Sequence, residues 1–165
     1  MPYELREMDE ELKPQCMKIF NDIIEEGLAF AWETPYNDDD WDAHYKPGQP
    51  IWCAVDTDGN VLGFVHVKPN GEGRMAHIAN NGYNVAKAAR GQGVGKALVA
   101  KAIEVAREMG YRGIQYNAVV STNIAAVKLY ESFGFSIIGT VPRGFRQGTQ
   151  ENPHYVDHHI MFLEL

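Results

Sequence analysis

The residues best placed to do chemistry form one run, Val85-Ala86-Lys87-Ala88-Ala89-Arg90-Gly91-Gln92-Gly93-Val94-Gly95-Lys96-Ala97-Leu98, in which an extended apolar segment passes through three alternating glycines into a helical pattern. Glycine lets the backbone turn sharply with its N–H groups bare, and the helix that follows adds a positive N-terminal end. Together these make a cradle for an anion. Lys87, Arg90, Lys96 and Lys101 fall in this region with no acid between them, although the 165-residue chain carries a formal charge of -7. A locally basic pocket in an acidic protein points to a small polyanion, because nucleic acid or an anionic membrane would require a broad basic surface.

Competing glycine motifs can be tested against the residues. A nucleoside-triphosphate loop needs a hydroxyl after its lysine to hold magnesium, but Ala97 follows Lys96. A dinucleotide fingerprint counted from Gly91 meets Gly93 and then Lys96 where its third glycine belongs. What remains is R-x-x-G-x-G at Arg90, Gly93 and Gly95. A second motif follows, Ser121-Thr122-Asn123-Ile124-Ala125-Ala126-Val127-Lys128-Leu129-Tyr130-Glu131-Ser132-Phe133-Gly134-Phe135. Ser121, Thr122 or Asn123 can cap a helix there, Ala126, Leu129, Tyr130 and Phe133 share an apolar face, and Gly134 supplies a left-handed stop. Asn123 and Tyr130 then lie two turns apart, roughly 10 Å along one side of the helix, so a single extended ligand could touch both.

These two motifs, in this order, resemble the signatures of the GNAT superfamily of N-acetyltransferases, and the resemblance covers essentially the whole chain. It implies a mixed, mostly antiparallel α/β (α+β) sheet flanked by helices, with splayed middle strands, here 76–85 and 113–119. It implies acetyl-CoA as cosubstrate, its pantetheine arm in that gap against the backbone of Val85, Ala86 and Lys87. Its diphosphate would rest on the N–H groups of Arg90, Gly91, Gln92, Gly93, Val94, Gly95 and Lys96. Asn123 would hold the cofactor arm, and Tyr130 would sit by the thioester sulfur.

The elements that must position these groups alternate in an orderly way. A strand is predicted over 3–8 and a helix over 9–26 with Gly27 as its stop. Residues 29–50 read as a loop holding one short helix that begins near Asp39 or Asp40. Strands 51–55 and 61–67 flank Asp56-Thr57-Asp58-Gly59-Asn60, a hairpin signal. After a turn, 76–85 reads as a third antiparallel strand. A helix over 94–109, a strand over 113–119, the second motif's helix and a strand over 136–141 follow. Residues 142–156, with two prolines and two glycines, read as a long loop before a closing strand over 157–164. One domain over 1–165 is expected, with no membrane-spanning run and a cytoplasmic location. Cys16 and Cys53 are too few for a disulfide framework and lack zinc-site spacing, so buried free thiols and no metal are expected.

Amine attack on a thioester requires donors for the carbonyl oxygen and an acid for the leaving thiolate. Tyr130 is the candidate catalytic acid, against the alternative of a core tyrosine with its hydroxyl at the rim. Many relatives carry a basic glutamate on the strand before the glycine loop. Here 76–85 has no carboxylate, and proton removal is left open between His77, ordered water, Glu33, His154, Asp157 and His158. The run Val67-Lys68-Pro69-Asn70, Gly73-Arg74, His77-Ile78, Asn80, Gly82-Tyr83 and Val85 resembles a branch that includes fungal acetyltransferases of proline analogues such as azetidine-2-carboxylate. That branch implies Asn80 and Asn117 as substrate-binding residues. Asn80, Asn81 and Asn84 also read as a bulged strand, whose bare N–H groups would face the thioester carbonyl. Positions 29–50 loosely resemble phosphinothricin-type acetyltransferases.

Positions 9–58 hold thirteen carboxylates against Lys13, Lys18 and Lys46. Such a region would attract a cationic amine or be a solvated surface. Phe30, Trp32, Tyr36 and Trp41 could line an acceptor pocket or cover the core. The expected function is acetyl transfer to the amine of a small metabolite, an amino or imino acid among the candidates. A protein-amine acetyltransferase and a silent acyl-CoA-binding module are the alternatives. Homodimers are common among relatives, and the segment after Val141 could reach a partner.

Overall fold

Seven strands join one mixed sheet in a computed structural model that describes residues 2–165. They are β1 (Tyr3–Glu7), β2 (Ile51–Asp56), β3 (Val61–Pro69), β4 (Ile78–Val85), β5 (Gly113–Val120), β6 (Ser136–Gly148) and β7 (Pro153–Glu164), with helices α1 (Lys13–Glu26), α2 (Asp38–His44), α3 (Val94–Glu108) and α4 (Ile124–Ser132). The sheet order is β1-β2-β3-β4-β5-β7-β6, and β4 with β5 is the parallel pair in it. Side chains alternate across a strand, and this alternation sorts the core into two layers. Val65 and Val67 of β3 pack with Leu98, Val99 and Ala102 of α3, whereas Phe64 packs with Cys16, Phe20 and Ile23 of α1 and with Trp41 of α2.

The helices begin and end for local reasons. α1 starts at Lys13 and not at Asp9, because the Asp9 carboxylate accepts the N–H groups of Glu11 and Leu12 at 3.1 and 3.0 Å and holds a separate turn. Gly27 ends it in the left-handed conformation, as expected. α2 is started by a capping box in which Asn37 accepts from the Asp40 N–H and Asp40 accepts from the Asn37 N–H. The hairpin between β2 and β3 is held by Asp56, whose carboxylate accepts the N–H groups of Asp58 and Asn60.

Two expectations are corrected. Residues 142–156 are no loop: β6 runs on to Gly148 and β7 begins at Pro153. Between the pairs Val141↔His158 and Phe145↔Val156, the three residues Pro142, Arg143 and Gly144 stand opposite Asp157 alone. A bulge tolerates a proline that cannot donate, and the Arg143 N–H is met by the Asp157 carboxylate at 2.8 Å. Beyond the bulge, Phe145 and Val156 pair and bury themselves with Val120. The irregularity expected on β4 is also absent, since β4 pairs with β3 without a register shift from Pro69↔Ala79 to Gly63↔Val85. The bulge lies on β5, where Asn117 and Ala118 fall between the pairs Tyr116↔Met161 and Val119↔His159.

The splay is present. β4 and β5 pair only at Ile78↔Gly113 and Ala79↔Ile114, and beyond them the strands part. Gly63 of β3 pairs with Val85 of the neighbouring β4 and leaves no room for a side chain: a Cβ there would stand 2.6 Å from the Asn84 carbonyl oxygen and 3.2 Å from Leu98 Cδ1. Gly63→Ala is therefore expected to destabilise the fold by about 1–3 kcal/mol, the range for overpacking, as a lower urea midpoint with an unchanged slope.

Candidate active site

The glycine run folds as a bare-amide cradle. After one 3₁₀ turn over Lys87–Ala89, Gly91 and Gly93 adopt φ of 75° and 84°, and no atom lies within 4 Å of where their Cβ would be. Their need for glycine is thus conformational and not steric. Gly93 caps α3 without any side-chain hydrogen bond, so the first amides of α3 keep their donors and the helix keeps its positive end. Not every residue of the run faces outward. The Ala86 N–H goes to Leu62 and its carbonyl accepts from Ala89, while the Arg90 guanidinium pairs with Glu26 at 2.9 Å and reaches the Val85 carbonyl at 3.3 Å. Gln92 folds back onto Ala88, and Lys101 lies over the Trp52 ring and pairs with Glu104. Lys87 and Lys96 remain exposed at the cradle.

From the cradle a groove of about 550 Å³, lined by Arg90, Gly95, Val85, Asn123 and Leu129, runs inward to Tyr83 and Tyr130. A second chamber of about 740 Å³ opens on the other side of the same two tyrosines. The passage between the chambers is the parting of β4 and β5. Tyr83, Tyr116 and Tyr130 meet there, with the Tyr83 and Tyr116 hydroxyls hydrogen-bonded and the Tyr116 and Tyr130 ring centroids 4.6 Å apart. Burial raises all three phenols above the usual tyrosine value, with the negative charge of a neighbouring phenolate adding to the rise at Tyr83 and Tyr116. Tyr130 is consequently a neutral O–H donor across the whole physiological range.

Asn123 caps α4 by accepting the Ala126 N–H at 3.2 Å and lines both chambers. The two asparagines singled out on β4 and β5 come together in the larger chamber. Asn80 Nδ2 donates to the Gln115 carbonyl at 2.9 Å and to Asn70 Oδ1 at 3.2 Å, and Asn117 Nδ2 donates to the same Asn70 oxygen at 2.7 Å. Among the described residues no hydrogen bond uses Asn80 Oδ1 or Asn70 Nδ2. The bulge at 117–118 turns Asn117 into the chamber.

The other candidates separate. His77 is exposed and precedes β4, Glu33 pairs with Arg146, and Asp157 is occupied by the Arg143 N–H; neither these nor His154 and His158 line either chamber. Phe30 and Trp32 do line the larger one, whereas Trp41 is core and Tyr36 packs on Phe20. Sequence reasoning missed Tyr83, Tyr116, His44, His66 and Lys68. A signal existed for two of these: His66 and Lys68 break an apolar strand at alternate positions, which puts both on the face opposite Val65 and Val67.

The residues 11–135 match the Acetyltransferase (GNAT) family. The chain belongs to this family. The GNAT chain is 34% identical over 137 residues to an L-methionine sulfoximine/L-methionine sulfone acetyltransferase of Pseudomonas paraeruginosa, covering 79% of this chain and 78% of that one. It is 32% identical over 108 residues to the N-acetyltransferase aca1 of Schizosaccharomyces pombe, which agrees with the fungal resemblance; that match covers 66% of this chain and spans about half, 51%, of the relative. Among solved structures, a GCN5-related N-acetyltransferase from Kribbella flavida is similar over 99% of this chain and 98% of its own, with a TM-score of 0.91 at 38% identity. No helix among the described residues is long and apolar enough to cross a membrane.

Burial, assisted by the Lys68 charge, pushes His44 down to about 4 and holds His66 far below an ordinary histidine. Both rings are neutral when folded, while in the unfolded chain they protonate near pH 6.5. Their contribution to stability is therefore whole above about pH 6.5 and is lost as the pH falls toward 4. The melting temperature is expected to drop over that window, and the drop is expected to be shallower in the His44→Gln/His66→Gln double variant, as measured by calorimetry from pH 7 to 4.

Proposed function

We propose that this acetyltransferase moves the acetyl group of acetyl-CoA to the amine of a small metabolite, by direct attack with both substrates bound. The single observation that carries this reading is the meeting of two chambers at Tyr130, one ending at a bare-amide anion cradle and the other closed by asparagines and histidines. The N–H groups of Gly91, Gln92, Gly93, Val94, Gly95 and Lys96 would hold the diphosphate, whereas the Arg90 N–H is turned to the Lys87 carbonyl at 3.4 Å. Val85 and Lys87 would offer backbone groups to the pantetheine arm, and Asn123 Nδ2 remains for it because Asn123 Oδ1 is spent on the helix cap. Ala86 would line the arm without bonding it, since both its backbone groups are used within the protein.

The thioester supplies an acyl carbon open to attack by an unprotonated amine. Nitrogen bonds to that carbon, the C–S bond breaks, and the phenol of Tyr130 gives its proton to the departing sulfur. Its pKa, raised by burial, keeps the phenol protonated until the sulfur departs in a water-poor passage. Asn80 Oδ1 and Asn70 Nδ2 would orient the acceptor, with Asn117 holding Asn70 in place. The proton lost by the amine goes to water in the open chamber, which presents no carboxylate but Glu72, and water returns a proton to the Tyr130 oxygen to restore the phenol.

The chamber size supports a small acceptor, as do the names of relatives that act on methionine sulfoximine and methionine sulfone. The buried thiols of Cys16 and Cys53, whose sulfurs stand 3.4 Å apart in hydrogen-bond contact and unbridged, accord with a reducing compartment, and we assign the enzyme to the cytoplasm. Acetyl-CoA is expected to bind by calorimetry, and thiol release is expected with small amines but not with peptides. Tyr130→Phe is expected to lower kcat by about 10²-fold or more, within the range for general acids, with the acetyl-CoA Kd little changed. Wild-type turnover in that variant removes Tyr130 from the mechanism, and no binding of acetyl-CoA removes the proposal.

The edge strand β6 exposes Ile137, Ile138 and Val141, with Ile138 standing as the extra residue between the pairs Ile137↔Met161 and Gly139↔Ile160, and Tyr155 lies exposed on β7 beside it. An exposed apolar edge strand invites pairing, and we assign a second copy of this chain as its occupant. Sedimentation is expected to report a dimer for the wild type and a monomer for Ile138→Lys/Val141→Lys.

A further inference from the structure

The larger chamber has an inner end that the transfer chemistry does not use. His66 stands on β3 at 4% exposure, and neither of its ring nitrogens has a partner. Around it stand His44, with Nε2 unpartnered and its ring 5.7 Å away, and Tyr45, with its hydroxyl unpartnered and its ring 4.9 Å away. Gln49 Oε1 is also buried and unpartnered. Two residues along β3, half-buried Lys68 opens into the same chamber, and among the described residues no carboxylate pairs with it. Such a concentration of unmet hydrogen-bonding groups, the imidazole N–H groups and the Tyr45 hydroxyl as donors and Gln49 Oε1 as an acceptor, is what a recognition site looks like before its ligand arrives, because a buried polar group without a partner costs free energy.

The charge of the place is equally specific. The chain carries 22 acidic residues, yet the ionisable side chains lining this chamber other than histidine and tyrosine are Lys46, Lys68 and Glu72. The thirteen carboxylates of residues 9–58 are elsewhere, Asp38, Asp39 and Asp40 among them on the outer surface of α2. Burial and the nearby Lys46 charge work against the Lys68 ammonium, and no acid offsets them. A cationic polyamine would meet two lysines here; an anion would meet its counter-charge. Each neutral imidazole offers one N–H to an oxyanion, and the Tyr45 hydroxyl offers another.

We propose that His66, His44 and Lys68 form a subsite for an oxyanion carried by the acceptor, so that the acceptor is an amine bearing a carboxylate or similar acid, amino and imino acids rather than polyamines. This rests on the transfer reaction proposed above, and the test separates the two. Rates of thiol release are measured with small L-amino acids, with the carboxamides of the same amino acids, and with spermidine. The amino acid is expected to exceed its carboxamide by about 10- to 100-fold in kcat/KM, the range for a hydrogen bond to a charged group. Lys68→Met is expected to reduce that ratio to within about threefold, and Lys68→Arg to restore most of it. A merely structural lysine would lower both rates and leave their ratio unchanged, and that result overturns the proposal, as does spermidine outrunning the amino acids.

If no amine releases thiol, the transfer reading fails while the subsite is still decided by binding. The His66 and His44 ring resonances are then followed by NMR as the amino acid and its carboxamide are titrated. Shifts with the amino acid and not with its carboxamide uphold the subsite. No shift with either overturns it.

Discussion

Everything in this protein depends on two neighbouring strands that pair for two residues and then separate. From Asn80 onward the edge of β4 and the facing edge of β5 have no ladder partner between them, and the side-chain bonds from Asn80 to the Gln115 carbonyl and between the Tyr83 and Tyr116 hydroxyls span the gap. Open strand edges inside a sheet are costly, since each buried backbone group left unpaired forfeits about 1–3 kcal/mol. The fold meets this cost by wedging aromatic rings into the gap. Tyr83 and Tyr116 come from the two separated strands, and Tyr130 reaches across from α4, with Phe135 stacked beneath Tyr116. The ladder groups left over are those that an extended, amide-bearing ligand can satisfy as a substitute strand.

The two chambers reached through that gap differ in electrical character for reasons of topology. The smaller draws its positive end from backbone dipoles, and Glu26 neutralises the one guanidinium nearby. The larger draws its cations from side chains on β3 and the segment after α2. Surface acidity and interior basicity coexist because the acids sit on α1, α2 and turns, where their charges are spent on caps and pairs: Asp9 on the turn before α1, Asp40 on the cap of α2, Asp42 on Lys13. Net charge thus says little about what a cavity holds.

How much of this was legible in the sequence follows from the range of the interactions involved. The cradle, the α4 cap by Asn123 and the stop at Gly134 are local, written in residues a few places apart, and they appear where expected. So do the hairpin at Asp56 and the short helix after Asn37. The extension of β6 and β7 was hidden because Pro142 and Gly144 signal a turn, and only the distant partner Asp157 makes them a bulge. The polar wall of the larger chamber was hidden for the same reason. His44, Gln49 and His66 come from three elements, and nothing in their spacing announces that they share a cavity. Asn80 and Asn117, which the resemblance implies as substrate-binding residues, do meet in one chamber, but that Asn70 joins them depends on a turn distant from Asn117 in sequence.

Gly82 lies directly under the His66 ring, so close that a Cβ would stand 2.5 Å from His66 Cε1. Because Gly82 pairs with His66 across the β3–β4 ladder, the backbone on both sides of the clash is held by the sheet. The imidazole is the part free to yield, so a lone methyl there would evict it from the wall. A single side chain at position 82 would thus reshape the wall of the larger chamber while leaving the glycine cradle, on the far side of the tyrosines, untouched.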